Sequence, residues 1–434
     1  MKFAHLSDCH IGSWREPALR DASTDAFCKA IDIALERNVD FIIISGDLFN
    51  TAQPGMEYLR TTVWKLKTCA DSKVPVYGIA GSHDFSPSGK TMLDVLDAAG
   101  LCRNVARGTE VDGKLRLAFT IDEKTGIKLT GMVGRKGSLE REYYQSLDLP
   151  ALEAEQGKKI FVFHSAVTEL RPKGFEEVES VPLSCFPKGF VYYAGGHIHV
   201  VDQQRVEGHG LFGIPGPIFP NNFQELEKLK NGGFYIITDR VSLNSEEAFP
   251  NTNTSAFLRT FDIEYVPLPL WPVHSITINA KARTPIQIER AIREHAESIP
   301  PPPPTPPMQS RTIITLRVEG TLDQGSTGDI PWNSLHELFI SKGAYCVIRN
   351  TSKLSSTELS PIFVETTSVE DIEEKLINEH AGQLRVFEKE KEKEIIKGFM
   401  HALASEKSEG ETVGHFEERI IQAGTSIVLD RPQQ

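Results

Sequence analysis

The chain has 434 residues, 40% of them apolar, too many for one ordinary domain and enough for two or three. No window approaches the ~18 apolar residues of a membrane helix. The opening Met1-Lys2-Phe3-Ala4-His5-Leu6-Ser7-Asp8 lacks a signal-peptide pattern, and the six cysteines fall at no paired spacing. The expectation is therefore no membrane, a reducing cytoplasm, and neither a disulfide framework nor a thiolate zinc site. The net charge of -12 disfavours a broadly basic nucleic-acid binder. A metal site gathers acidic side chains, however, so charge alone leaves the substrate open.

In chain order, Phe3–Ser7 predicts a strand, Arg20–Arg37 a helix and Phe41–Ile44 a buried strand. Met56–Cys69 predicts a helix, Val74–Ala80 a strand and Met92–Ala99 a helix ending at Gly100. This alternation implies an α/β sheet with partly parallel strands. Strand signals then dominate, at Leu115–Ile121, Ile127–Val133, Ile160–Phe163, Phe190–Ala194 and Gly233–Thr238. A separate α/β module follows, with strands at Ser275–Ile278 and Thr312–Val318 and helices at Ile286–Ser298 and Trp332–Ile340. Between them Pro300–Pro304, Pro306 and Pro307 read as a stiff spacer loop or a docking ligand. From Ser368 the chain turns highly charged, with helices expected at Asp371–His380 and Phe387–Ser405 and a third, short one at Phe416–Ile421. The apolar stripe Ile395, Ile396, Phe399, Met400, Leu403 needs a partner, either within the chain or on another protein. The expected division is 1–260, 261–366 with the proline-rich loop, and 367–434.

Metal-ligand residue types recur just past strand ends. Asp8 and His10 follow the first strand, and Gly46-Asp47 follows the second. Gly81-Ser82-His83-Asp84 follows the third, His164 ends a later run, and Gly196-His197-Ile198-His199 ends another. Side chains past the carboxyl ends of strands converge on one rim, where open α/β sheets place ligands. Asp-x-His and His-x-His put two ligands on one face if the segment is extended. Carboxylate with imidazole suits manganese, iron or zinc more than calcium. Two ions about 3.5–4 Å apart, bridged by a carboxylate such as Asp47, clamp both oxygens of an in-line phosphoryl displacement. Each motif alone is ordinary turn chemistry; five in order, each after an apolar run, point to a two-metal centre.

The order Asp-x-His, Gly-Asp, Gly-Ser-His-Asp, His, Gly-His-x-His resembles the calcineurin-like metallophosphoesterase superfamily over about residues 1–240. Ser7-Asp8-Cys9-His10-Ile11-Gly12, Gly46-Asp47-Leu48-Phe49, and Pro215-Gly216 followed by Phe223 and Glu225 are similar, more narrowly, to the SbcD-type double-strand-break repair nucleases. The resemblance implies a β-sandwich flanked by helices (αββα), a small α/β capping domain and a helical C-terminal tail. It implies two Mn2+ ions, other divalent metals being possible. Asp8, His10, Asp47 and His199 would hold one ion, with Asp47 bridging and His164 and His197 holding the second. His83 would be the general acid, Asp84 would orient its imidazole, and a water whose pKa the ions lower would attack.

Two positions depart from the family pattern. Ser82 stands where an Asn is usual, so the second ion would bind more weakly. Asn50 stands where a His is frequent; it can hydrogen-bond a phosphate but carries no charge. Arg15, Arg135 and Lys136 are further candidates for phosphate contacts, and Tyr143 and Tyr144 for base stacking. The implied function is a manganese-dependent DNA exonuclease and endonuclease acting at DNA ends. Its implied partners are an SbcC-like coiled-coil ATPase, bound through the C-terminal helices, and a second copy of the chain. The alternatives are a nucleotide or small-molecule phosphodiesterase and a weakly catalytic scaffold.

Overall fold

The computed structural model describes residues 1–85, 89–135, 139–240, 260–298, 311–357, 377, 389–405 and 413–429. Lys136, the proline run and the region expected to form a helix at 371–380, residue 377 apart, lie outside them. The chain divides into two compact units, Met1–Ser355 and Ser356–Gln434.

Two six-stranded sheets organise the first unit. One runs, in spatial order, Thr260–Leu268, Gly232–Arg240, Lys2–Leu6, Phe41–Ser45, Val76–Ile79 and Arg103–Asn104. Its last four strands are mutually parallel. The other runs Asp202–Val206, Gly210–Ile214, Tyr192–Gly196, Lys159–His164, Lys128–Gly131 and Thr120–Ile121. Its four central strands are parallel as well.

The sheets face each other across a core of Phe3, Phe41, Ile43, Tyr77, Leu129, Ile160, Val162 and Tyr192, all buried. Phe41–Ser45 is buried at every position because it has a sheet neighbour on each side and a packed layer on each face. The outer face of the first sheet is covered by Ala22–Glu36 and Met56–Asp71. Ala22, Ala26, Ala30 and Ala34 recur every four residues, forming a small-residue stripe that lets the first helix lie close to the strands. The second sheet carries its own aromatic core of Phe161, Phe163, Phe186, Tyr193 and Phe212. The mixed α/β architecture, two sheets with helices outside, agrees with the sequence reading.

A smaller sheet follows, in the order Val273–Asn279, Ile313–Leu322, Cys346–Asn350, all parallel, with Leu354–Ser356 on the middle strand. Thr284 and Gln287 form a capping box that starts the helix Pro285–Glu297, with Pro285 in its first turn. Ile288, Ile292, Leu316, Leu335 and Phe339 make a separate core. Thr260–Leu268 belongs to the first sheet, paired along its length with Gly232–Arg240.

Several elements depart from expectation. Leu115–Ile121 is two strands: Lys114–Leu117 turns back on Gly108–Val111, and Thr120–Ile121 joins the main sheet. The hairpin signal was Asp112-Gly113, both with positive φ, flanked by short strands. The strands Asp202–Val206 and Gly210–Ile214 carried too little apolar alternation to be read. In the second unit the last helix is not short: Val413–Leu429 has 17 residues. It pairs with Lys389–Leu403, where a Cβ on Gly398 would lie 3.1 Å from Ile427 and one on Gly424 3.2 Å from Phe399. Glycine at these points lets the helices approach closely, so part of the apolar stripe has a partner inside the chain. Leu403 and Ile421 remain about 70% and 67% exposed.

Candidate metal centre

The loops that follow the parallel strands are tied to each other by their backbones. The amides of Asp8, His10 and Ile11 donate to the carbonyls of Gly46, Asp47 and Leu48. Asp8, His10, Asp47 and His197 all have φ between 41° and 86°, the left-handed region that non-glycine residues avoid. Strain of that kind persists only where surrounding contacts enforce it, and it gathers at functional sites. This corrects the expectation that Asp-x-His presents two ligands by strand pleating. The segment is not extended, and sharp left-handed turns aim the side chains. Gly46 has φ +92°, and a Cβ there would fall 2.3 Å from His164 Nδ1; one on Gly81 would fall 2.2 Å from the Asp47 backbone nitrogen. Glycine is required at both.

Three groups of side chains result, each with potential ligand atoms within 4.8 Å of one another: Asp8, His10, His199; His10, Asp47, His83; and Asp8, Asp47, His164. Asp8, His10, Asp47 and His164 are 2% exposed or less. His197 is not in these groups. Its ring stands 5.2 Å from that of His164, centroid to centroid, and its backbone amide donates to Asp8 Oδ1 at 3.0 Å. Ser82 Oγ is 3.4 Å from Asp47 Oδ2.

Hydrogen bonds set the rings. His164 Nδ1 donates to the Ser45 carbonyl at 2.8 Å, and His199 Nδ1 to Glu225 Oε1 at 2.8 Å. Each bond fixes the tautomer in which Nε2 of the neutral ring carries a lone pair. His164 Nε2 lies 3.1 Å from Asp47 Oδ2, yet it is buried without hydrogen-bond geometry to any partner. His10 Nε2 and His199 Nε2 are 3.1 Å apart. Lone-pair atoms that converge on shared points rather than on one another fit divalent cations, and the mixed carboxylate and imidazole donors suit manganese, iron or zinc. Behind this layer His5 bonds Tyr192 Oη and Ser45 Oγ, each at 2.8 Å, satisfying a fully buried ring.

The clustered carboxylates also favour a proton on two of these rings, for which a cation would compete. Burial opposes charge on His164, but Asp47 and Asp8 lift its pKa to about 10. Burial likewise opposes charge on His199, which Asp8 and Glu225 raise to about 10. Burial lowers His10 and His197 to about 4. Asp8 and Asp47 resist the upward push of burial and are held well below the carboxylate range, Asp8 chiefly by His199 and Asp47 chiefly by His164.

Asp84 does not orient His83. Its carboxylate accepts the backbone amides of Leu48, Phe49 and Gly81 at 2.9–3.1 Å, stapling two ligand loops together. Burial and the charge of Asp47 push it up to about 7. His83 is oriented by the Asn50 carbonyl, which accepts from Nδ1 at 2.8 Å. The His83 ring stands 4.8 Å from that of His10.

Among the proposed phosphate contacts, Arg15 is exposed, while Arg135 is partly buried. The Arg135 guanidinium lies 4.0 Å from the centre of the Tyr143 ring and 5.0 Å from that of Phe85, and donates to Tyr143 Oη. Tyr144 is buried against Phe186 and is not available to stack. Glu225 has no role in the sequence reading. It entered that reading only among the residues that carry the family resemblance, and its bond to His199 is seen in the structure alone.

Residues 1–201 match the model of the family described as calcineurin-like phosphoesterase, and this part of the chain is a calcineurin-like metallophosphoesterase domain. Among curated proteins the chain is similar to several that bear one name, DNA double-strand break repair protein Mre11. That of Archaeoglobus fulgidus is 28% identical over 241 residues, covering 53% of this chain and 52% of the relative. That of Methanococcus maripaludis is 28% identical, covering 54% and 62%. That of Thermoplasma acidophilum is 30% identical, covering 46% and 52%. The chain spans about half to three fifths of the length of these relatives.

Proposed function

We propose that the chain is a divalent-metal-dependent nuclease that hydrolyses phosphodiester bonds at DNA ends in double-strand-break repair. The observation that carries this reading is the convergence of Asp8, His10, Asp47, His164 and His199, with His83 beside them, where the parallel strands of two sheets end. Relatives named for DNA double-strand break repair support the substrate.

In this reading Asp8, His10, Asp47 and His199 would hold one Mn2+ ion, and Asp47, His164 and His197 would hold a second, with Ser82 a weak addition. The bound cations supply positive charge that offsets the charge on the attacking and leaving oxygens of the phosphate. His83 gives a proton from Nε2 to the leaving oxygen. The Asn50 carbonyl, bonded to Nδ1–H, orients the ring and leaves Nε2 free for that transfer. Arg15 and the Asn50 side chain are the candidates for phosphate contact; Arg135 acts there only if it leaves its aromatic neighbours.

An SbcC-like ATPase is the proposed partner of the C-terminal helices, where Leu403 and Ile421 offer exposed apolar surface. A homodimer is part of the proposal, with exposed Met56, Trp64 and Val95 supplying apolar surface on the helices Met56–Asp71 and Met92–Ala98. A cytoplasmic setting is part of the proposal, in keeping with six free cysteines.

The test is incubation of the purified chain with end-labelled duplex DNA and Mn2+, beside a His83→Ala variant. The parent is expected to degrade DNA and to stop when EDTA is added. The variant should be slower by about 10²–10⁴-fold, the usual contribution of a general acid. If the parent leaves DNA intact even with an SbcC-like ATPase present, the nuclease reading fails in favour of a small-substrate phosphodiesterase or a scaffold.

A further inference from the structure

The short helix Phe223–Leu229 stands between the metal centre and the small sheet, and touches both. Neighbours two apart on a helix point about 200° apart, so Glu225 and Glu227 face opposite ways. Glu225 faces the metal centre. Its Oε1 accepts from His199 Nδ1 at 2.8 Å, and its Oε2 from the Asn221 amide at 2.7 Å. Glu227 faces the small sheet. Arg317, on the strand Ile313–Leu322, binds it through Nε at 3.0 Å and a terminal nitrogen at 2.7 Å, and the guanidinium lies 5.0 Å from the centre of the Phe223 ring. Leu226, fully buried, anchors the helix in the first sheet's outer core between these contacts. Lys230 adds a bond to Ser275 on the strand Val273–Asn279.

We propose that Glu225 is a positioning residue that sets the tautomer and aim of His199, and that the Glu227–Arg317 pair couples this helix, and so the metal centre, to the small sheet. The inference rests on the reading of His199 as a metal ligand. A carboxylate on the far nitrogen of a ligating imidazole makes the ring a better donor and fixes its orientation. The bidentate guanidinium fork restrains the helix in direction as well as distance. A shift of the small sheet would then reach His199 without any contact between that sheet and the ligands.

The competing account is that Glu225 only helps to cap its helix, since its Oε2 accepts the Asn221 amide at 2.7 Å beside the Asn222 N-cap. Calorimetric titration of the ion-free 434-residue chain with Mn2+, paired with its thermal melting, separates the two. Glu225→Leu is expected to weaken Mn2+ binding by about 10–100-fold. Glu225→Gln, which keeps both the cap and an acceptor for Nδ1–H, should recover most of that loss. Arg317→Met should weaken binding several-fold and Arg317→Lys less, with ion-free melting close to the parent.

Binding by Glu225→Leu within twofold of the parent overturns the positioning role. An unaltered Arg317→Met overturns the coupling. If Glu225→Leu does not fold, Glu225→Ala takes its place: a loss of binding that Glu225→Gln restores supports the role, and parental binding by Glu225→Ala overturns it. A parent that binds no Mn2+ removes the metal centre and this inference together, an outcome distinct from a parent and variants that bind alike.

Discussion

The two-sheet domain and the small sheet obey the same construction rule and reach different ends. Both lay parallel strands side by side and cover them with helices, and both bury a dry core. In the first, Asp8 and Asp47 lie two residues past their strands and His164 ends its own, and non-glycine residues occupy left-handed backbone at Asp8, His10, Asp47 and His197. In the second, the strands end in ordinary polar residues, Asn279 and Asn350 among them, and left-handed backbone falls on Gly320, Gly325, Gly343 and Ala282. A parallel sheet thus supplies a rim, and the rim becomes a site only where ligand residues are driven into conformations they would not choose. The small sheet's own rim gathers no ligand cluster among the described residues, whereas the large domain holds buried charge at Asp8 and Asp47.

That contrast can be broken most sharply in the small sheet's core. Phe339 is fully buried there, and Phe339→Ala should cost about 3–5 kcal/mol. Hydrogen exchange should show the opening in 273–356, with the strands Lys2–Leu6 and Phe41–Ser45 still protected. Opening of the whole chain at once would mean the two regions form one cooperative unit. Next in size is Gly46→Ala. The left-handed backbone and the collision with His164 Nδ1 should cost about 3 kcal/mol and abolish Mn2+ binding by calorimetry. Gly320→Ala, also at positive φ but with its Cβ 3.0 Å from the Asn279 side chain and the Lys281 backbone nitrogen, away from the ligands, should lower melting while leaving Mn2+ affinity intact. If both variants bind Mn2+ like the parent, the rim is not a metal centre. At the small end, Lys67 and Asp71 form an exposed ion pair one helical turn apart. Lys67→Ala should change denaturant-measured stability by less than about 0.5 kcal/mol; a larger change would show that the helix Met56–Asp71 matters more than its surface charge suggests.

Much of this was legible because strand runs are short, apolar and β-branched, and because ligand residue types stand immediately after them. The run Phe41–Ile44 announced a buried strand, and Asp47 follows it at the rim. The alanine spacing of Ala22 to Ala34 announced the packed face of the first helix. Less legible were elements whose stability comes from pairing rather than from their own pattern. Asp202–Val206 is polar along its length and is a strand only because Gly210–Ile214 lies beside it. The length of the helix Val413–Leu429 depends on a partner that accepts its glycine.

The sequence by itself determined the α/β class and the chemical nature of the site, since strand runs, helical periodicity and ligand residue types are local properties of the chain. Only the tertiary structure decided how the ligands are aimed and what supports them. It replaced an extended Asp-x-His with left-handed turns, moved the orientation of His83 from Asp84 to the Asn50 carbonyl, and brought Glu225 to His199 from 26 residues away. These are contacts between loops that different strands deliver to one rim, and no periodicity within a segment records which loops will meet.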